Sequence, residues 1–305
     1  MEKKNAVITN APKPATSKPA AATANKEGKA GSIFASIVIP VAIAVSIAIY
    51  LFILGNPANF EGGNPENHPL PGNYLGVVYK GGVIVPMLIS LNLMVLVFAI
   101  ERFLTINKAR GSKGIEQFVR TIRQKLNVND INGAITACDA QKGSVANVVK
   151  SGLGKYKEME TDRTLAKDQK ILAIQKEIEE STALELPMLE KNLVIISTIA
   201  SISTLVGLIG TVLGMIKAFS ALATAGSPDA VALANGISEA LINTALGIIG
   251  STIAIVAYNY FTSKIDALTY SIDEAGFSII QTFAAQHDDA GHTSTAPTQH
   301  SSVNV

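Results

Sequence analysis

The stretch from Leu193 to Phe261 constrains this chain most. It holds two long apolar arms joined by Ser220-Ala-Leu-Ala-Thr-Ala-Gly-Ser-Pro-Asp-Ala230. Each arm exceeds the ~20 residues that cross a bilayer as a helix. From Ala230 to Ser263 the second arm carries one charged residue, Glu239. A carboxylate at the centre of a spanning helix costs ~2.5 kcal/mol or more, so Glu239 is a functional candidate.

The arms read as an antiparallel helix hairpin. Thr211 and Glu239 are equally distant from a turn centred on Ala225, which predicts that they lie at one depth. Small residues cluster around both: Gly207, Gly210 and Gly214 on the first arm, then Ala240, Ala245, Gly247 and Gly250 on the second. Such residues let helix backbones approach closely in lipid. Asn243 lies one turn beyond Glu239 and shares its face. A plainer reading stands beside this one. Tyr258, Tyr260 and Phe261 fit an interfacial aromatic belt, and ~20 residues back from them lies Leu241. Glu239 would then be a wetted residue at the outer boundary.

Composition agrees with a membrane protein. The 305 residues are 48% hydrophobic and 16% charged, with net charge +1. No basic run points to nucleic acid. One cysteine, Cys138, excludes an intramolecular disulfide framework, and the four histidines show no metal-ligand spacing. No nucleophile–base pair or phosphate loop is present, so no enzyme and no cofactor is expected.

In order, residues 1–31 form a polar, Lys-containing tail predicted to be disordered. Residues 32–55 hold an extra apolar span, Ile33 to Leu54, with Pro40 as a possible kink; its length and late start argue against a signal peptide. Residues 56–80 are a Gly/Pro/Asn-rich loop, and 81–105 a second span closed by Glu101-Arg102 and a basic cluster. Residues 106–191 form a polar helical domain, with amphipathic segments at Gly114–Leu126, Asp130–Gln141, Val145–Lys157 and Arg163–Lys191. The hairpin follows as spans 192–220 and 230–263 around loop 221–229. Ser227-Pro228-Asp229 supplies an N-cap, a first-turn proline and an acid near the positive helix end. Residues 264–305 continue as an amphipathic helix to about Phe283 and a polar tail. Lys and Arg number six in the N-terminal tail and sixteen from Arg102 to Lys191, whereas the opposite edges hold only Lys80 and Lys217. The positive-inside rule then places both termini and the helical domain in the cytoplasm, with Lys217 snorkelling to the outer interface. The fold class is all-α: a polytopic helical membrane protein whose long transmembrane helices extend into a cytoplasmic helical domain.

The hairpin resembles the MotA/TolQ/ExbB proton channel family, most closely its ExbB/TolQ branch. Carrying residues are Gly207-Leu-Ile-Gly-Thr-Val-Leu-Gly-Met215 with Ala218-Phe219, and Gly236-Ile-Ser-Glu-Ala-Leu241 with Thr244-Ala-Leu-Gly247. Leu189-Glu190 and the segment Ala134–Gly143 add to it, and the likeness covers roughly residues 76–283. It implies a homo-oligomeric ring, pentameric, in the inner-membrane lipid. The ring surrounds an ExbD/TolR-like single-span partner bearing an essential Asp, and proton flow drives a TonB-like periplasm-spanning protein. By position, Glu239, Thr211 and Thr244 match the polar pore residues, and Asn243 joins them as a polar neighbour. Desolvation favours the neutral form of a buried carboxyl group, which suits a lone acid that takes up and releases protons. The rival reading for both threonines is back-bonding to their own helix. A non-conducting membrane scaffold is the rival from a different class. Thr204 stands where a proline often precedes the glycine motif, and Asn243 replaces a small apolar residue. The extra first span resembles the four-span flagellar stator arrangement, a branch that lacks this acid. Thr244, ~140° around the helix from Glu239, is expected to face another surface.

Overall fold

The structure, a computed structural model, describes residues 24–65, 67–223 and 229–287. Among them the backbone is helical apart from connections and one isolated bridge, Phe60–Pro69. Four helices are long and apolar enough to cross a membrane: Phe34–Leu54, Gly82–Asn127, Lys167–Ala223 and Ala230–Gln286. The all-α, four-span expectation therefore holds.

Helix α1 (Ala24–Ala48) starts inside the segment read as a disordered tail through residue 31. Elongation adds one hydrogen bond per residue once a helix exists. The Ala-, Lys- and Glu-bearing stretch before the span extends it on those terms. The helix runs through Pro40 and passes into a π-helical turn, Ile49–Leu54. The following connection is built rather than loose. The Asn59 side-chain amide donates to the carbonyls of Ile53 and Leu54 at 2.8 and 3.0 Å, meeting groups that a helix end leaves unpaired. Asn73 caps α2 (Tyr74–Tyr79), and Tyr79 stacks on Tyr50 with centroids 4.7 Å apart.

A 3-10 turn at Gly82–Ile84 leads into α3 (Val85–Arg110), which has Pro86 in its first turn. Four helices then match the amphipathic segments: α4 (Ile115–Asn127), α5 (Ile131–Gln141), α6 (Gly143–Thr161) and α7 (Lys167–Glu190). Pro187 lies within α7, and the chain breaks for two residues, Lys191 and Asn192, before α8 (Leu193–Ala223). The last helix, α9 (Ala230–Gln286), has 57 residues, ~86 Å at 1.5 Å per residue. The expected continuation of the last span past Lys264 into an amphipathic helix is present. The structure has one helix there, because a charged residue ends an apolar run without breaking hydrogen bonding. The Ser227 and Pro228 capping roles lie outside the described residues; Asp229 itself is the N-cap, accepting from the amides of Val231 and Ala232 at 3.0 Å each.

The extension of α9 is the spine of the helical domain. Tyr156 and Phe283 are fully buried and meet edge to face at 5.0 Å. Ile178 of α7 fills a seat between Gly152 of α6 and Gly276 of α9, where an added Cβ would stand 2.7 and 3.3 Å from its side chain. Arg123 of α4 pairs with Glu274 of α9 at 2.8 Å. The elements that enter the membrane and those that pack beside it thus share one continuous core.

Candidate functional site: a polar track on the hairpin

Helices α8 and α9 pack backbone to backbone. A Cβ added at Gly214 would meet Ala240 N and Gly236 O at 2.7 Å, and one at Gly207 would meet Asn243 O at 3.0 Å. Gly210 faces Asn243, and Gly247 faces Ser203 and Gly207. All five predicted packing glycines therefore lie in the α8–α9 seam. Gly250 opens toward α3 as well, with Ser203 Oγ and Asn92 of α3 converging on it.

These contacts correct the register. Thr211 does not lie level with Glu239. The Thr211 and Thr244 hydroxyls bond directly to each other, and the carbonyls of Gly207 at 3.2 Å and Ala240 at 3.4 Å are alternative acceptors for the single Thr211 hydroxyl proton. Thr244 donates to that same Ala240 carbonyl at 3.2 Å. Back-bonding and cross-pairing thus coexist, and Thr244 faces its own chain's Thr211. The expected turn centre, Ala225, lies outside the described residues.

The residue beside Glu239 is Lys217. Its ammonium donates to both carboxylate oxygens, at 2.6 and 2.8 Å. The Glu239 side chain is 10% exposed, while the Lys217 side chain is 55% exposed. Neither charge is alone on the hairpin. The two arms pair their charges, because an unpaired ion in an apolar bundle is costly. Gly82, at φ +77°, lies against the carboxylate, and a Cβ there would collide with Oε1. The preceding residue, Gly81, accepts through its carbonyl from the Asn243 amide at 2.8 Å. Asn243 is fully buried and its Oδ1 has no hydrogen-bond partner among the described residues. Glu239 and Asn243 thus share a face, as their spacing predicts, and that face is covered by the start of α3.

From the hairpin's loop end inward, the track runs Lys217–Glu239, then Asn243, then Thr211–Thr244. An acid followed by hydroxyls can accept and pass a proton. Sequence reasoning missed Lys217 as a partner, although one signal was present: it is the lone charge on its arm, as Glu239 is on the other. It also missed a buried cluster at the far end of the spans. Arg102, 3% exposed, donates to the carbonyls of Leu189 at 3.0 Å and Met188 at 3.3 Å. Glu101 accepts from Arg102, from Thr105 at 3.0 Å and from Asn192 at 3.0 Å. This cluster ties α3 to the α7–α8 break. Glu190, read as part of the family pattern, is exposed.

The MotA/TolQ/ExbB proton channel family matches residues 141–274. Over 84 residues the chain is 39% identical to the Tol-Pal system protein TolQ of Haemophilus influenzae, covering 28% of this chain and 37% of the relative. It is 30% identical over 124 residues to TolQ of Pseudomonas aeruginosa, covering 41% and 54%. A longer match, 28% over 207 residues, covers 65% of this chain and 92% of the biopolymer transport protein ExbB of Neisseria meningitidis. The chain thus spans between about a third and about half of the two TolQ proteins. With the hairpin and its polar track inside the matched residues, the chain carries a MotA/TolQ/ExbB proton channel family domain.

Proposed function

We propose that this chain is an ExbB-like subunit of a proton-motive-force-driven motor in the bacterial inner membrane. It assembles as a homo-oligomeric ring in lipid, pentameric by resemblance, around an ExbD/TolR-like single-span partner. Proton flow through that complex energises a TonB-like periplasm-spanning protein and, through it, transport across the outer membrane. Both termini and the helical domain lie in the cytoplasm on this reading, which the Lys and Arg distribution supports.

The observation that carries the proposal is the polar track of Glu239, Thr211 and Thr244 within the matched hairpin. Glu239 takes up the proton, and the threonine pair orders the next step. The helix-packing glycines hold the arms close enough for both hydroxyls to reach the Ala240 carbonyl. A TolQ-like role is the second reading, favoured by the two TolQ matches; it differs in what the motor drives.

The test is growth on a nutrient that requires TonB-dependent uptake, using Glu239→Gln, with a native gel to follow assembly. Loss of growth with an intact complex is the expected result. Unchanged growth overturns a proton-exchanging role for Glu239. Loss of the complex itself supports a packing role, as in a non-conducting scaffold. Normal uptake combined with defective outer-membrane integrity points to the TolQ-like reading.

A further inference from the structure

We propose that Lys217 gates proton acceptance by Glu239. The proposal rests on the reading of this chain as a proton-conducting subunit.

The geometry makes Lys217 a lock. One ammonium engages both oxygens of the Glu239 carboxylate, at 2.6 and 2.8 Å. The Gly82 backbone packs against the same carboxylate on another side, and Glu239 is 7% exposed. The ion pair and the Gly82 backbone together narrow the approach of a hydronium ion to the carboxylate. The partners also differ in freedom. Glu239 lies in the closely packed seam, whereas Lys217 is 55% exposed on a flexible four-carbon stem. Lys217 is therefore the partner that moves.

Its position suits a gate. Lys217 and Glu239 stand nearer the hairpin's loop end than Thr211 and Thr244. A proton arriving from the loop end meets the ion pair before the hydroxyls. When Lys217 swings away, a hydronium ion transfers its proton to a Glu239 oxygen and leaves as water. The ammonium keeps its own three protons. When Glu239 passes the proton on, its restored charge recaptures Lys217. The ion pair so opens once for each proton accepted.

The experiment uses the complex purified with its native partner, reconstituted in vesicles that enclose a pH-sensitive dye and carry an imposed potassium diffusion potential. Lys217→Gln should raise the proton influx about tenfold, the scale of losing a charge-assisted hydrogen bond. Lys217→Arg should keep the wild-type rate, and Lys217→Gln with Glu239→Gln should fall to the rate of Glu239→Gln alone. If Glu239→Gln abolishes influx but Lys217→Gln matches the wild type, the gate is wrong and the proton reading stands. If Glu239→Gln leaves the influx unchanged, both fall. A second measurement does not require the Lys217 variant to fold. Reductive methylation of the Lys217 amine, followed by mass spectrometry, should be about tenfold faster in Glu239→Gln than in the wild type. Equal rates overturn the gate.

Discussion

Gly210 and Asn243 face each other across the hairpin with no room for another carbon. A Cβ on residue 210 would stand 2.5 Å from Asn243 Cβ and 2.7 Å from its Cγ. Asn243 cannot retreat easily, because its amide is bonded to the Gly81 carbonyl at 2.8 Å and the residue is fully buried. Gly210 is thus one of the seam glycines that let α8 approach α9, and it lies beside the Asn243 tether to the turn ahead of α3.

Gly210→Ala should therefore destabilise the protein by about 1–3 kcal/mol, the usual cost of overpacking a filled interior. Thermal unfolding in detergent is the check. Asn243→Gly in the Gly210→Ala background should recover part of the loss, since it removes the Cβ that collides along with the rest of the side chain. No recovery in the double variant would show that the contact is not what limits the helix approach.

Gln141 links the end of α3 to the corner between α5 and α6. Its side chain, 1% exposed, donates to the carbonyls of Arg110 at 3.0 Å and Lys113 at 2.8 Å. It accepts from the Lys113 amide at 3.2 Å. Gln141→Ala removes three bonds and leaves backbone groups unpaired, a loss of about 2–4 kcal/mol. Limited trypsin digestion should then cut at Lys113 or Lys142 well before the wild type. Wild-type digestion kinetics would show that the corner holds without this side chain.

Cys138 is 2% exposed, and burial, with the neighbouring Asp139 adding to it, pushes its thiol up to about 12. The thiolate is the reactive form. Iodoacetamide at pH 8 should label the folded protein at least a hundredfold more slowly than the denatured chain. The sign for stability follows. A raised thiol favours the folded state below the unfolded value of about 8.5, and that contribution fades as pH rises from there toward 12. Cys138→Ser should flatten the alkaline arm of the stability curve; an unchanged arm would place the effect elsewhere.

Much of the architecture was legible along the chain. Span lengths and the 3.6-residue periodicity are local properties, so four apolar helices and α4 to α7 emerge in the expected order along the chain. Helix ends were less legible. Ala24 and Lys264 show why: a helix ends where its hydrogen bonding stops, and neither the start of an apolar run nor a charge marks that point.

The sequence by itself determined that two lone charges of opposite sign, Lys217 and Glu239, sit on facing arms of an apolar hairpin. It also determined which small residues let those arms meet. Only the tertiary structure decided that the two charges pair, that Thr211 meets Thr244 instead of lying level with Glu239, and that Gly82 covers the acid while Gly81 holds Asn243. The reason is physical. Register is chosen by where Gly207, Gly214 and Gly236 allow backbones to touch, and a shift of one turn changes every polar partner at once. Counting residues from the turn carries no information about that contact.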